Sequence, residues 1–274
     1  MTAETFRILH GDARDMLIDL PDRSMDCVVT SPPYFAQRDY GNATQIGLER
    51  TVEKYLDDLA VVFDQCHRLL IPRGVMWINI GDTFNAYNGN RGEGTLQSGK
   101  RNLVLPQRPK GYGLTDPSRP NKALLNVPAR LAERLAETGW LLRSDVIWKK
   151  TVPMPGSSQD RPRSTYEHVL LFAKQPRYFF DRTGLDGDED VWMLPSSDGL
   201  QGDHSAAYPT ALASRCVRTA SAPGGLVLDP FCGSGSTGAA ALLAGRRFVG
   251  VDLNETSAQF TVERLTALLE PPRM

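Results

Sequence analysis

The chain has 274 residues, 41% of them apolar, with a formal net charge of −1. That suffices for one large α/β core with insertions, and the longest apolar stretches are strand-length, which predicts no membrane span. Four histidines without ligand-like spacing predict no metal site, and four scattered cysteines (Cys27, Cys66, Cys216, Cys232) with no CxxC pair and no signal peptide predict a reduced, cytoplasmic protein.

In chain order, residues 6–9 and 26–30 predict short strands, the second very apolar. It runs into Thr30-Ser31-Pro32-Pro33-Tyr34. Proline cannot donate to a sheet ladder and confines the residue before it to extended conformations. This stretch therefore predicts a stiff, non-helical lip carrying one hydroxyl and one exposed aromatic ring. Residues 52–70 predict an amphipathic helix, with Leu56, Leu59, Phe63, Cys66 and Leu70 on one stripe, ended by residues 72–74. A buried strand follows at 75–80, a helix at 127–138 stopped by Gly139, and strands at 141–148 and 169–173. Helices at 209–219, 237–243 and 255–269 enclose strands at 226–229 and 247–252. This alternation predicts a doubly wound, mostly parallel sheet covered on both faces, in a single domain spanning 1–274.

One stretch stands apart. Residues 85–122 are rich in Gly, Asn, Pro and Arg, with no apolar period and a net charge of +5. A connection that long is usually functional or disordered: it reads either as a solvated surface loop or as a segment whose basic residues, Arg101, Arg108 and Lys110 among them, order on a phosphate backbone. Lys149, Lys150, Arg161 and Arg163 form a second basic group around another Pro-rich loop.

Near the other end, Asp229-Pro230-Phe231-Cys232-Gly233-Ser234-Gly235 lies between a strand and a helix, and the following strand ends at Asp252. Gly233, Gly235 and Gly238 match the spacing of a dinucleotide fingerprint, in which backbone N–H groups approach a ligand at a helix N-terminus and an acid accepts from a ribose diol. Asp229 at the strand end suits an ammonium group better than a pyrophosphate. Only βαβα follows the motif, so the other strands must precede it, in permuted order. A cofactor joining adenosine to an amino acid, S-adenosylmethionine, meets both conditions, and a nicotinamide dinucleotide is the alternative.

Together, Thr30-Ser31-Pro32-Pro33-Tyr34 and Asp229-Pro230-Phe231-Cys232-Gly233-Ser234-Gly235-Ser236 resemble the beta-class DNA amino-methyltransferases, whose catalytic motifs precede the cofactor-binding ones. The resemblance extends to Trp77-Ile78-Asn79-Ile80-Gly81-Asp82, to 143–149 and to Ala207-Tyr208-Pro209. It implies the circularly permuted S-adenosylmethionine-dependent methyltransferase fold and methyl transfer to the exocyclic amine of a base flipped from double-stranded DNA. Ser31 and the Pro32 carbonyl would accept the two amine N–H bonds, Pro33 would hold the lip stiff, and Tyr34 would stack on the base. Asp12, ending the first strand, would lie near the adenine amine or simply cap a helix. His204 and Pro209 fall in a stretch like the family's contact with the cofactor's methionine end. Asp229, Phe231, Cys232, Gly233, Ser234, Gly235 and Asp252 would hold the cofactor. Ser at position 31 resembles cytosine-N4 enzymes, with adenine-N6 methylation by the same fold as the alternative; adenine-N6 enzymes usually carry Asp or Asn there, and release-factor glutamine methyltransferases carry Asn. The resemblance further implies a prokaryotic or phage restriction-modification role, with a cognate restriction endonuclease as candidate partner, and a monomer or homodimer. A non-catalytic DNA-binding module is disfavoured by the intact lip.

Overall fold

The computed structural model describes residues 5–37, 42, 44–85, 116–153, 159–198 and 208–270. In chain order these form β1 (Phe6–His10), α1 (Ala13–Met16), β2 (Met25–Thr30), α2 (Val52–Leu69), β3 (Leu70–Ile80), α3 (Val127–Glu137), β4 (Leu141–Lys150), β5 (Tyr166–Ala173) and β6 (Val191–Leu194). Then come α4 (Thr210–Ala220), β7 (Leu226–Asp229), α5 (Ser236–Leu243), β8 (Arg247–Asp252) and α6 (Glu255–Leu269).

The strands make one sheet in the order β1-β8-β7-β2-β3-β5-β4-β6. Every described neighbour pair is parallel except β3/β5 and β4/β5, so β5 alone runs against the rest. One buried cluster joins α1, α2 and α3 to one sheet face; another joins α4, α5 and α6 to the opposite face, and includes the touching pair Trp77 and Trp192. This is the doubly wound, mostly parallel arrangement that the βα alternation predicts.

The helices form for reasons visible in their ends and faces. Thr51 caps α2 through its side chain to the Lys54 N–H, and Asn254 caps α6 through the Ser257 N–H. Val52, Tyr55, Leu56, Leu59, Val62, Phe63 and Cys66 recur at helical spacing on the buried face of α2. Gly139, at φ +97°, turns the chain out of α3 in the left-handed conformation glycine adopts without strain.

One expected boundary fails. Residues 72–74 do not form a turn; β3 begins at Leu70 and carries Pro72 within it. The β2/β3 register jumps between Met25–Leu70 and Cys27–Val75, so a bulge absorbs Pro72, whose missing N–H no ladder then needs. A Cβ on Gly74 would lie 2.8 Å from a Leu70 methyl and 3.0 Å from the Asp26 carbonyl, so the bulge needs that glycine.

Topology places the site. From β2 the chain winds through α2 to β3 on one side, while from β7 it winds through α5 to β8 on the other. β2 and β7 are parallel neighbours, so the lip and the glycine loop leave the same edge of the sheet where the winding reverses, the usual place for a ligand crevice.

Candidate active site

The lip is stapled from three sides. The Tyr55 hydroxyl of α2 donates to the Pro33 carbonyl at 2.8 Å, and the Ala36 N–H donates to the Gly47 carbonyl at 2.7 Å. The Tyr34 hydroxyl donates to Glu167 Oε2 at 2.7 Å, with Asn79 Oδ1 at 3.3 Å and Ser31 Oγ at 3.5 Å. A Cβ on Gly81 would stand 2.9 Å from the Tyr34 ring, so glycine is what lets the ring lie there. Tyr34 is thus half-buried and tethered by its hydroxyl, not an open ring. Burial first, and then the Glu167 carboxylate, push its hydroxyl well above the ordinary tyrosine range, so it stays protonated.

Glu167 also accepts from Asn79 Nδ2 at 3.1 Å and pairs with the Lys150 ammonium. Lys150 lies 4.9 Å from the Trp148 ring centre. Lys150, a candidate DNA contact in the sequence, has its ammonium on Glu167 beneath the lip. Lys149 donates to Thr165 Oγ1 at 2.7 Å, the Arg161 guanidinium stacks 3.6 Å from the Phe84 ring centre, and Arg163 is exposed. Arg101, Arg108, Lys110 and His204 lie outside the described residues.

Asp229 ends β7 with its carboxylate buried and surrounded. Thr30 Oγ1 donates to it at 2.6 Å, the Phe231 N–H at 3.0 Å, Thr237 Oγ1 at 2.6 Å and the Tyr208 hydroxyl at 3.4 Å. Desolvation nevertheless lifts this carboxyl to about 6. Through these bonds Asp229 ties the root of the lip (Thr30) to the root of the glycine loop. Tyr208, beside Pro209 at the start of α4, joins the same knot by a bond to Thr237.

Beyond it the chain turns sharply. Gly233 and Gly235 hold φ of +50° and +78°, and a Cβ on Gly235 would come within 2.8 Å of the Thr261 methyl. Asp252 organises the loop: its Oδ2 accepts from the Gly233 N–H and its Oδ1 from the Asn254 N–H, both at 2.8 Å. Cys232 is buried, with its sulfur facing Gly250 and its N–H on the Val251 carbonyl, so its thiol does not face a ligand. Burial pushes that thiol well above its ordinary range.

A cavity opens here, lined by Asp12, Pro33, Ile46, Phe231, Gly233 and Asp252, with Asn254 and Ser257 at its side. Asp12 caps α1 through the Arg14 N–H and lines the cavity. Burial pushes its carboxyl up, but the Arg14 bonds outweigh this and hold it below the usual range. The residues fit an adenosine joined to an amino acid. Carboxylates at two strand ends suit amine and diol donors. The Ser234 and Ser236 hydroxyls are buried without a partner, at the start of an α5 whose first turn has no side-chain cap. Neither serine lines the cavity; the uncapped first turn of α5 supplies N–H groups of the kind that suit a carboxylate. Pro33 in the same lining brings the cavity up to the lip.

The sequence does not single out Glu167 or Thr237, and it shows Thr30, Asn79 and Tyr208 only as members of motifs, without a role of their own. The signals were faint: Asn79 is a lone amide in the apolar run of β3, and Glu167 precedes the apolar part of β5 by two residues.

The model of the DNA methylase family of N6/N4 type matches residues 25–263. The type II methyltransferase M.SmaI of Serratia marcescens is 38% identical over 271 residues, covering 94% of this chain and 90% of its own. M.Cfr9I of Citrobacter freundii, also a type II methyltransferase, is 36% identical over 94% of this chain and 87% of its own. Among solved structures, the Thermus thermophilus protein TTHA0409, described as a DNA modification methylase and complexed with S-adenosyl-L-methionine, is 27% identical with a TM-score of 0.65, over 96% of this chain and 95% of that one. The PvuII DNA methyltransferase, cytosine-N4-specific, shares the fold at a TM-score of 0.72 and 19% identity, over 100% of this chain and 89% of that one.

Proposed function

This chain belongs to the DNA methylase family of N6/N4 type, and from that membership we propose that it transfers a methyl group from S-adenosylmethionine to the N4 amine of a cytosine flipped out of double-stranded DNA. The observation that carries the reading is the lip itself: Ser31 is held between Thr30 on Asp229 and Tyr34 on Glu167, and Pro33, two residues on, lines the cavity that fits the cofactor.

An exocyclic amine conjugated into its ring is a weak nucleophile. Ser31 Oγ accepts one amine N–H and the Pro32 carbonyl accepts the other, which draws the nitrogen toward a pyramidal form with an available lone pair. The neighbouring Pro33 carbonyl is already bound by Tyr55, which fixes the lip's direction. Tyr34, half-buried, offers its ring to the base. The bound cofactor supplies an activated methyl group on sulfur, so what remains for the protein is alignment, worth up to roughly 7–11 kcal/mol in well-oriented systems. The choice of cytosine over adenine rests on Ser31, where adenine-N6 relatives carry Asp or Asn.

The chain acts as a single methyltransferase domain, with the basic insertion 85–122 (Arg101, Arg108, Lys110) and the group at Arg161 and Arg163 as its DNA contacts. Its type II relatives support a place in restriction-modification, with a cognate endonuclease as partner. The test is Ser31→Ala. Calorimetry should give near-normal cofactor affinity, while methyl incorporation into DNA falls roughly 10²-fold or more. Near-wild-type turnover would remove Ser31 from the chemistry and the N4 reading with it.

A further inference from the structure

A serine hydroxyl can donate as readily as accept. For Ser31 to accept from an amine, its own hydrogen must be held elsewhere, and the residues around Tyr34 show where. The Tyr34 hydroxyl has one hydrogen, and its nearest acceptor is Glu167 Oε2 at 2.7 Å, against 3.3 Å for Asn79 Oδ1. Glu167 is a carboxylate paired with Lys150 and receiving the Asn79 amide, so it can only accept. With its hydrogen committed to Glu167, the Tyr34 oxygen is left as an acceptor toward Ser31 Oγ, 3.5 Å away.

We propose that Glu167 sets the direction of this chain, Ser31 to Tyr34 to Glu167, and is thereby a positioning residue for the lip: it draws the Ser31 hydrogen toward Tyr34 and leaves a serine lone pair facing the base amine. Two strands converge to hold it in place, with Asn79 from β3 and Lys150 from β4, and Gly81 just after β3 allows the Tyr34 ring to lie within reach. A carboxylate bonded only to strut the sheet would not need a tyrosine hydroxyl between itself and the lip.

The inference rests on the reading that Ser31 accepts from the substrate amine, and a double-mutant cycle separates the two. Glu167→Gln keeps the shape but places an amide that can donate to Tyr34, which reverses the chain. Single-turnover methylation should fall by about tenfold or more, the worth of one misdirected hydrogen bond, with cofactor affinity by calorimetry near wild type and a melting temperature lowered by the unpaired Lys150 ammonium. Tyr34→Phe cuts the chain and should fall comparably, and adding Glu167→Gln to Tyr34→Phe should cost nothing further. A Glu167→Gln enzyme as fast as wild type, or equal losses in both backgrounds, would overturn the proposal. If Glu167→Gln does not fold, Tyr34→Phe decides alone: a rate near wild type overturns it, and a loss like that of Ser31→Ala supports it. Ser31→Ala with wild-type turnover would instead bring down the underlying reading.

Discussion

Asp252 makes the sharpest prediction, because one carboxylate serves both the glycine loop and the cavity. Its two oxygens accept from the Gly233 and Asn254 N–H groups at 2.8 Å each, tying a loop held at positive φ to the residue that caps α6. It also lines the cavity, where it would receive the ribose hydroxyls of the cofactor. Asp252→Asn keeps the size and sets an NH2 against one of those backbone donors. A hydrogen bond to a charged group contributes about 1.5–3 kcal/mol, so the free enzyme should lose about that much stability in urea unfolding. Loss of the diol contact should raise the S-adenosylmethionine dissociation constant by a similar free energy, about 10- to 150-fold by isothermal titration calorimetry. An unchanged dissociation constant in a folded variant would refute the ribose assignment, and an unchanged unfolding curve would refute the loop role.

Gly81→Ala places a Cβ 2.9 Å from the Tyr34 ring and 3.4 Å from Glu167 Cγ, so it should lower turnover through the lip while cofactor affinity holds; equal turnover in a steady-state assay would show that ring position does not matter. Asp229 predicts a pH effect. Burial raises its carboxyl from 3.8 to about 6, so the native state holds the proton more tightly, and its contribution to stability is full below pH 3.8 and lost as pH rises through about 6. Between those limits wild type should lose about 3 kcal/mol relative to Asp229→Asn, read from urea unfolding across the pH range, and parallel pH profiles would contradict the assignment.

How far the sequence could be read depended on how much pattern each element carries. Strands β7 and β8 and helix α6 have the boundaries expected from their apolar runs and flanking turns. The four-residue strand β6 is too brief to show a period, and the equally short helix α1 is signalled only by Asp12 as a helix cap. The start of β3 was misplaced because Pro72 and Gly74 read locally as a breaker, while the bulge against β2 that accommodates them is a tertiary event. The lip and the glycine loop were legible because prolines and glycines at fixed spacing constrain backbone directly. Their supports were not. Thr30 and Asp229 are 199 residues apart and meet only because β2 and β7 are sheet neighbours, and Glu167 reaches Tyr34 only through the antiparallel pairing of β5 with β3. Lys150 illustrates the same limit: a lysine in a basic cluster reads as a phosphate contact until strand pairing shows its carboxylate.

The most direct test of the account is mass spectrometry of nucleosides from double-stranded DNA incubated with the protein and isotopically labelled S-adenosylmethionine. Labelled N4-methylcytosine, abolished by Ser31→Ala, is the expected product. Labelled N6-methyladenine in its place would contradict the reading of Ser31, and no labelled nucleoside from DNA that the wild-type protein binds would contradict the account as a whole.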